Sequence, residues 1–167
     1  MFREMRRIRQ KLTDEETRDI LRRGTSGVLA LSGDEGYPYA LPISYLYDGG
    51  KLYFHCAKAG HKIDAIARSD KASFCVIDQD QTAPEIFTTL YRSAIAFGRI
   101  RIMEDDPDKR RAIERLADKY APGGDTAHRD SSIEREWSRL NMLELTIEHL
   151  SGKEGIELVK ARGANKD

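Results

Sequence analysis

Large and small side chains alternate with period two from Tyr37 to Tyr47. Tyr37, Tyr39, Leu41, Ile43, Tyr45 and Tyr47 share one face; Pro38, Ala40, Pro42 and Ser44 share the other, with Leu46 closing the row. That pattern predicts a strand with one side in a core and a shallow side against which something flat and rigid can lie. Asp48-Gly49-Gly50 tolerates the positive φ of a tight turn, which makes Lys51–Cys56 the return strand of a hairpin. Upstream, Thr13 and Glu16 have capping-box spacing, so a helix is expected from about Asp14 to Arg23, ending at Gly24. Ser26–Ser32 reads as a buried strand and Gly33-Asp34-Glu35-Gly36 as a turn.

Downstream, Gly60-His61-Lys62 starts a helix to about Arg68, with Ile63, Ile66 and Ala67 on its apolar face. Lys71–Ile77 is a strand, followed by a polar loop containing Pro84 and a long β-rich run from Ile86 to Met103. Asp105-Asp106-Pro107 opens a helix reaching Tyr120, its carboxylates and proline suiting the positive end of the helix dipole. A Pro122-Gly123-Gly124 loop leads to a shorter helix around Ser132–Leu140. Leu143–Leu150 and Ile156–Val159 read as closing strands, and Ala161–Asp167 as a frayed tail. Six or seven strands with short helices and no regular βαβ alternation predict a small antiparallel barrel with helical decoration. Gly-x-Gly-x-x-Gly and the P-loop pattern are both missing, which argues against a doubly wound nucleotide-binding sheet.

At 167 residues the chain suits one domain, 1–167. Lys and Arg together number 28, as do Asp and Glu, so no excess charge argues for nucleic acid or an anionic membrane as partner. The basic arm of residues 1–11, richest from Arg3 to Lys11, reads as solvated. No apolar run approaches the ~20 residues of a membrane helix, and the N-terminal charges precede no apolar stretch of the secretory kind. Cys56 and Cys75 lack C-x-x-C spacing and are expected as buried reduced thiols of a cytoplasmic protein.

Pro38 and Pro42 remove two backbone donors from the same side of one strand, so that side is expected at a sheet edge or a barrel gap. The N–H of Ala40 and nearby carbonyls then face outward without a strand partner. Half-buried unpaired groups cost about 1–3 kcal/mol each. Water could satisfy them, or a ligand rim of alternating donors and acceptors such as the pyrimidine edge of a flavin. One strand later, His55, Lys58, His61 and Lys62 gather around Gly60 at a strand-to-helix junction, a cationic corner suited to a phosphate. A metal site is not expected, because the adjacent His55 and Cys56 point to opposite faces of a strand. His128 and His149 read as ordinary surface or rim residues.

These segments resemble a known family. MRRIRQKL, GVLAL, YPYALPISYLYDGGKLYFHCAKAGHK, YRSAIAFGRIRI and ELTIEHLSGKEGIEL together are similar to the pyridoxamine 5′-phosphate oxidase-like, FMN-binding split-barrel proteins, in the branch related to 5-nitroimidazole resistance proteins. The resemblance implies a mainly β fold, a six-stranded antiparallel split barrel, and a homodimer with FMN in clefts between the subunits. It implies that Tyr39, Ala40, Leu41, Pro42 and Ser44 run along the isoalloxazine ring. His55, Cys56 and Ala57, then Gly60, His61 and Lys62, would hold the ribityl phosphate, with Arg92 and Ser93 approaching from the other subunit. Authentic pyridoxamine-phosphate oxidases carry more arginine and lysine where this chain has Tyr39, Pro42 and Ser44. They also end in an Arg-Leu-x-Pro type segment, where this chain has Ala161-Arg162-Gly163, so vitamin B6 oxidation is not expected.

The expected activity is FMN-dependent reduction of a small-molecule electron acceptor, a nitro compound or quinone. The alternatives are a flavin or haem carrier or sensor without turnover, and a structural protein with an empty barrel. No catalytic residue is assigned. His55 and Tyr45 are proton-donor candidates or packing residues, and Trp137 is a lid over the ring or a helix residue capping the barrel.

Overall fold

The computed structural model describes residues 1–164. Helix α1 (Asp14–Arg23) starts at the expected capping box: Glu16 N–H donates to Thr13 Oγ1 at 3.2 Å, and Thr13 N–H donates to the Glu16 carboxylate at 2.8 Å. Strands β1 (Ser26–Ser32), β2 (Pro38–Ser44), β3 (Leu46–Asp48) and β4 (Lys51–Ala57) follow, then helix α2 (His61–Arg68). Strands β5 (Lys71–Ala83) and β6 (Thr88–Ile102), helices α3 (Asp106–Tyr120) and α4 (Thr126–Glu136), strand β7 (Leu140–Glu154) and helix α5 (Ile156–Ala164) complete the described chain. Gly49 and Gly50, with φ of 54° and 81°, form the two-residue turn between Asp48 and Lys51.

The strands make one antiparallel sheet in the order β2-β1-β5-β6-β7-β4-β3. This corrects the expected six strands to seven, and the sheet is not closed by hydrogen bonds. The two edge strands, β2 and β3, are nevertheless consecutive in the chain, with Tyr45 alone between them. Consecutive Cα atoms are about 3.8 Å apart, so the sheet must curl until its edges nearly meet. Leu29, Phe54, Phe74, Ala96 and Leu145, from five strands, accordingly share one core, and β2 touches β4 across the seam.

Tyr45 explains why the expected continuous strand from Tyr37 to Tyr47 breaks. Its side chain is fully buried and its hydroxyl donates to Leu21 O at 2.8 Å. Its backbone N–H donates to the Tyr120 hydroxyl at 2.9 Å instead of to a strand.

Other expectations need correction. The polar residues 78–83 continue β5 as one arm of an extended hairpin with β6, turning through Pro84–Ile86 and Phe87. Helix α4 begins at Thr126 and not near Ser132, because the Asp125 carboxylate caps it by accepting from Ala127 N–H at 2.9 Å. Ile156–Val159 is helical and not a strand: β6 makes its last bond to this segment at Gly155, whose N–H donates to Tyr91 O at 2.8 Å, and the Leu158 and Val159 N–H groups turn back to Gly155 O. Of the expected tail, residues 161–164 belong to α5, and 165–167 lie outside the described residues. On α2 the buried alanine is Ala65, while Ala67 is exposed.

The basic arm is tethered as well as solvated. The Phe2 ring stacks on His149 at 4.6 Å, Lys11 bridges Lys153, and Leu12 is buried. Cys56 and Cys75 are free and half-buried. No helix among the described residues is long and apolar enough to cross a membrane.

Candidate functional site

The outer edge of β2 is built as its proline pair requires. Tyr39, Leu41 and Ile43 pack on the core, while Pro38, Ala40 and Pro42 are exposed. Gly33 N–H donates to Tyr37 O at 2.9 Å, and the register continues through Leu31↔Tyr39, Leu29↔Leu41 and Gly27↔Ile43. Bonding parity alternates along an antiparallel pair, so the main-chain groups of Pro38, Ala40, Pro42 and Ser44 point away from β1. β2 is the last strand of the sheet on that side, so Ala40 N–H and its neighbouring carbonyls have no strand partner.

Across the seam, β3 pairs only with Lys51–Tyr53, leaving one edge of the upper end of β4 uncovered. There Cys56 packs toward the core, while the side chains of His55 and Ala57 point to the other face. Gly60, with φ 117°, then turns the chain into α2. A Cβ at Gly60 would meet nothing, so it is the backbone angle that favours glycine. The first helical bonds run from Ile63 and Asp64 N–H to Gly60 O, leaving the His61 and Lys62 amides without intrahelical acceptors. The His61 ring stacks on Tyr39 with centroids 4.0 Å apart and lies 3.3 Å from the Asp34 carboxylate. Asp34 is held in turn by Arg68 at 2.6 Å. These contacts seat the α2 N-terminus against β2, joining the open strand edge to the cationic corner.

Partial burial first, and the Lys62 charge second, hold the His55 imidazole below its ordinary pKa. Burial raises the Cys56 thiol, with Lys62 opposing it. Lys62 is thus electrostatically coupled to both. The unfolded chain binds a proton at His55 below about pH 6.5, where the folded imidazole still resists protonation, so this residue lowers stability as pH falls through that region. Melting curves of the flavin-free protein at pH 7, 6 and 5 should show a shallower fall for His55→Gln than for the parent.

Arg92 and Ser93 are not brought to this corner within one chain. Their strand β6 is separated from β2 by β1 and β5, roughly 14 Å at normal strand spacing. Arg92 is engaged with the fully buried Glu154 at 3.1 Å and with Asp78 at 3.8 Å. Tyr45 is removed as a proton donor, because its buried hydroxyl is committed to a carbonyl and burial drives its pKa far up. Trp137 packs beside α3 in a second apolar cluster with Met103, Leu116 and Met142, with the Lys109 ammonium 4.3 Å from its ring, as the helix-capping reading expects.

Two features were not anticipated. A cavity of about 390 Å³ lies between α3, α4 and the outward side of β4, and His55 is part of its wall. Lys109 is only 6 % exposed. The spacing of Ala112, Ile113 and Leu116 could have placed it on the buried face.

A family model described as pyridoxamine 5′-phosphate oxidase matches residues 13–154. No curated protein matches the chain. Among solved structures, a candidate 5-nitroimidazole antibiotic resistance protein from Bacteroides thetaiotaomicron is similar at TM-score 0.72 and 18% identity, with 86% of each chain covered. The FAD and heme binding protein from Mycobacterium smegmatis gives 0.71 and 25%, covering 88% of this chain and 73% of that one. Flavocytochrome Anf3 from Azotobacter vinelandii gives 0.73 and 21%, covering 91% and 72%.

Proposed function

Because the chain belongs to the pyridoxamine 5′-phosphate oxidase family, matched from residue 13 to residue 154, we propose that it binds FMN and reduces a small acceptor such as a nitro compound or quinone. The observation that carries this reading is the junction of an unpaired strand edge with a cationic helix start. Tyr39, Ala40, Leu41, Pro42 and Ser44 would lie along the ring system, with the Ala40 main chain meeting its polar rim. His55, Cys56, Ala57, Gly60, His61 and Lys62 would hold the phosphate. The fit rests on two features: Ala40 N–H has no strand partner, and the His61 and Lys62 amides have no intrahelical acceptor. When bound, the flavin would supply the electron transfer; the protein would position it and tune its potential.

The functional unit in this reading is a homodimer of single-domain chains, 1–167, in the cytoplasm. Arg92 and Ser93 could meet a flavin on β2 only from a second chain. The outward side of β1, β5 and β6 carries Val28, Cys75, Ile77, Ile95 and Phe97, with Val28 and Ile77 exposed, an apolar face suited to a partner. The two free cysteines suit a reducing compartment.

A second reading, a flavin or haem carrier or sensor, is favoured by the absence of ionisable side chains on the outer face of β2 and by the loss of Tyr45 as a donor. The visible spectrum of protein purified without added flavin tests the common part, with a flavin band expected. Anaerobic mixing with NADH or NADPH separates the two: bleaching that a nitro compound or quinone reverses over many cycles supports turnover. Bleaching without reversal supports the carrier.

A further inference from the structure

The cationic corner carries more positive charge than one phosphate group needs. Lys109 is nine-tenths buried, and among the described residues no carboxylate lies within ion-pairing distance of Lys58, Lys62 or Lys109. Burial first, and the nearby Lys58 charge second, depress the Lys109 ammonium, with Asp106 offsetting only part of this. The Trp137 ring, 4.3 Å from the ammonium, is the close partner the fold gives it, and that leaves room for an anion as a further one. Lys58 and Lys62 flank Gly60, and α3, which carries Lys109, packs on β4 immediately before them, so the three lysines lie at one end of these elements.

The α3–α4 cavity is linked to that region through His55. His55, coupled to Lys62 on one side, belongs to its wall on the other. Ile113, Ala117, Ile133 and Leu140 give the wall an apolar surface, with the His128 ring adding a second aromatic one; its carboxylates are engaged elsewhere, Asp118 with Arg129 at 2.7 Å, Asp125 as the cap of α4 and Glu136 with Arg135 at 3.4 Å. Its volume of about 390 Å³ lies within the range of small-molecule sites. Apolar walls with two imidazoles suit a flat heterocycle, and a cation cluster at one end suits the charged linkage from which that heterocycle hangs.

We propose that the α3–α4 cavity takes the adenosine half of a flavin dinucleotide, with Lys58, Lys62 and Lys109 around its two phosphates. This rests on the flavin reading and extends it: the mononucleotide part of FAD lies on β2 as FMN would, and the cavity adds a preference for the larger cofactor.

Isothermal titration calorimetry of flavin-free protein with FMN and with FAD tests it. FAD is expected to bind at least about 10-fold more tightly. Ala117→Trp, which fills the cavity, should bring FAD affinity down to that of FMN and leave FMN affinity unchanged. Lys109→Met, an independent variant, should weaken FAD about 10-fold and FMN less than about 2-fold. Circular dichroism melting establishes that each variant is folded. Equal affinities in the parent, or an FAD:FMN ratio unmoved by both substitutions, would overturn the proposal while leaving flavin binding intact. Binding of neither flavin would sink the underlying reading as well.

Discussion

Lys62→Glu is expected to abolish flavin retention without unfolding the protein. Lys62 sits in the first turn of α2, half-exposed, beside two amides that lack intrahelical acceptors. Its ammonium has no carboxylate partner among the described residues, so the fold gains little from it. A charge-assisted contact to phosphate contributes about 1.5–3 kcal/mol, and reversing the charge replaces that attraction with repulsion. The combined loss, on the order of 3–4 kcal/mol, corresponds to a several-hundred-fold weaker dissociation constant. Calorimetric titration with FMN measures it, and a melting temperature within a degree or two of the parent shows that the effect is local. Unchanged affinity would place the phosphate away from this corner.

Phe74→Ala should be the most damaging single change to stability. Phe74 is fully buried at the centre of the curled sheet, its ring packed edge-on to Tyr45 at 4.8 Å and Phe54 at 5.1 Å. Those contacts join β5 to the single-residue crossing at Tyr45 and to β4 on the far side of the seam. Truncating a buried phenylalanine costs about 3–5 kcal/mol, because neighbouring side chains refill the space only partly. At roughly 2–4 °C per kcal/mol for a chain of this size, the melting midpoint should fall by roughly 6–20 °C. A fall of less than 3 °C would mean that the two sides of the barrel are not coupled through this ring.

What could be read in the chain divides along local and distant causes. The capping box of α1, the Gly49-Gly50 turn, the glycine-led start of α2 and the edge position of β2 follow from residues within a few positions of each feature. All four appear as expected. The break at Tyr45 was invisible because it continues a period-two pattern; the group that takes its N–H, Tyr120, lies 75 positions away. The arm of β5 beyond Ile77 was missed because strands exposed on both faces carry no hydrophobic alternation to detect. α5 read as a strand because Ile156, Leu158 and Val159 are apolar and two of them β-branched, while its contact to Arg92's partner Glu154, made by Arg162, depends on tertiary placement. The burial of Lys109 beside Trp137 is likewise a property of the assembled corner.

The proline pair on β2 has a consequence beyond cofactor recognition. An exposed rim of main-chain donors and acceptors is a template for strand addition, and so for the stacking that leads to fibrils. Two of the positions facing outward on this rim cannot donate, so an incoming polypeptide finds a ladder with missing rungs, whereas a small rigid heterocycle needs only the Ala40 rung between them. The same two residues therefore keep the rim receptive to a compact guest and inhospitable to a neighbouring chain.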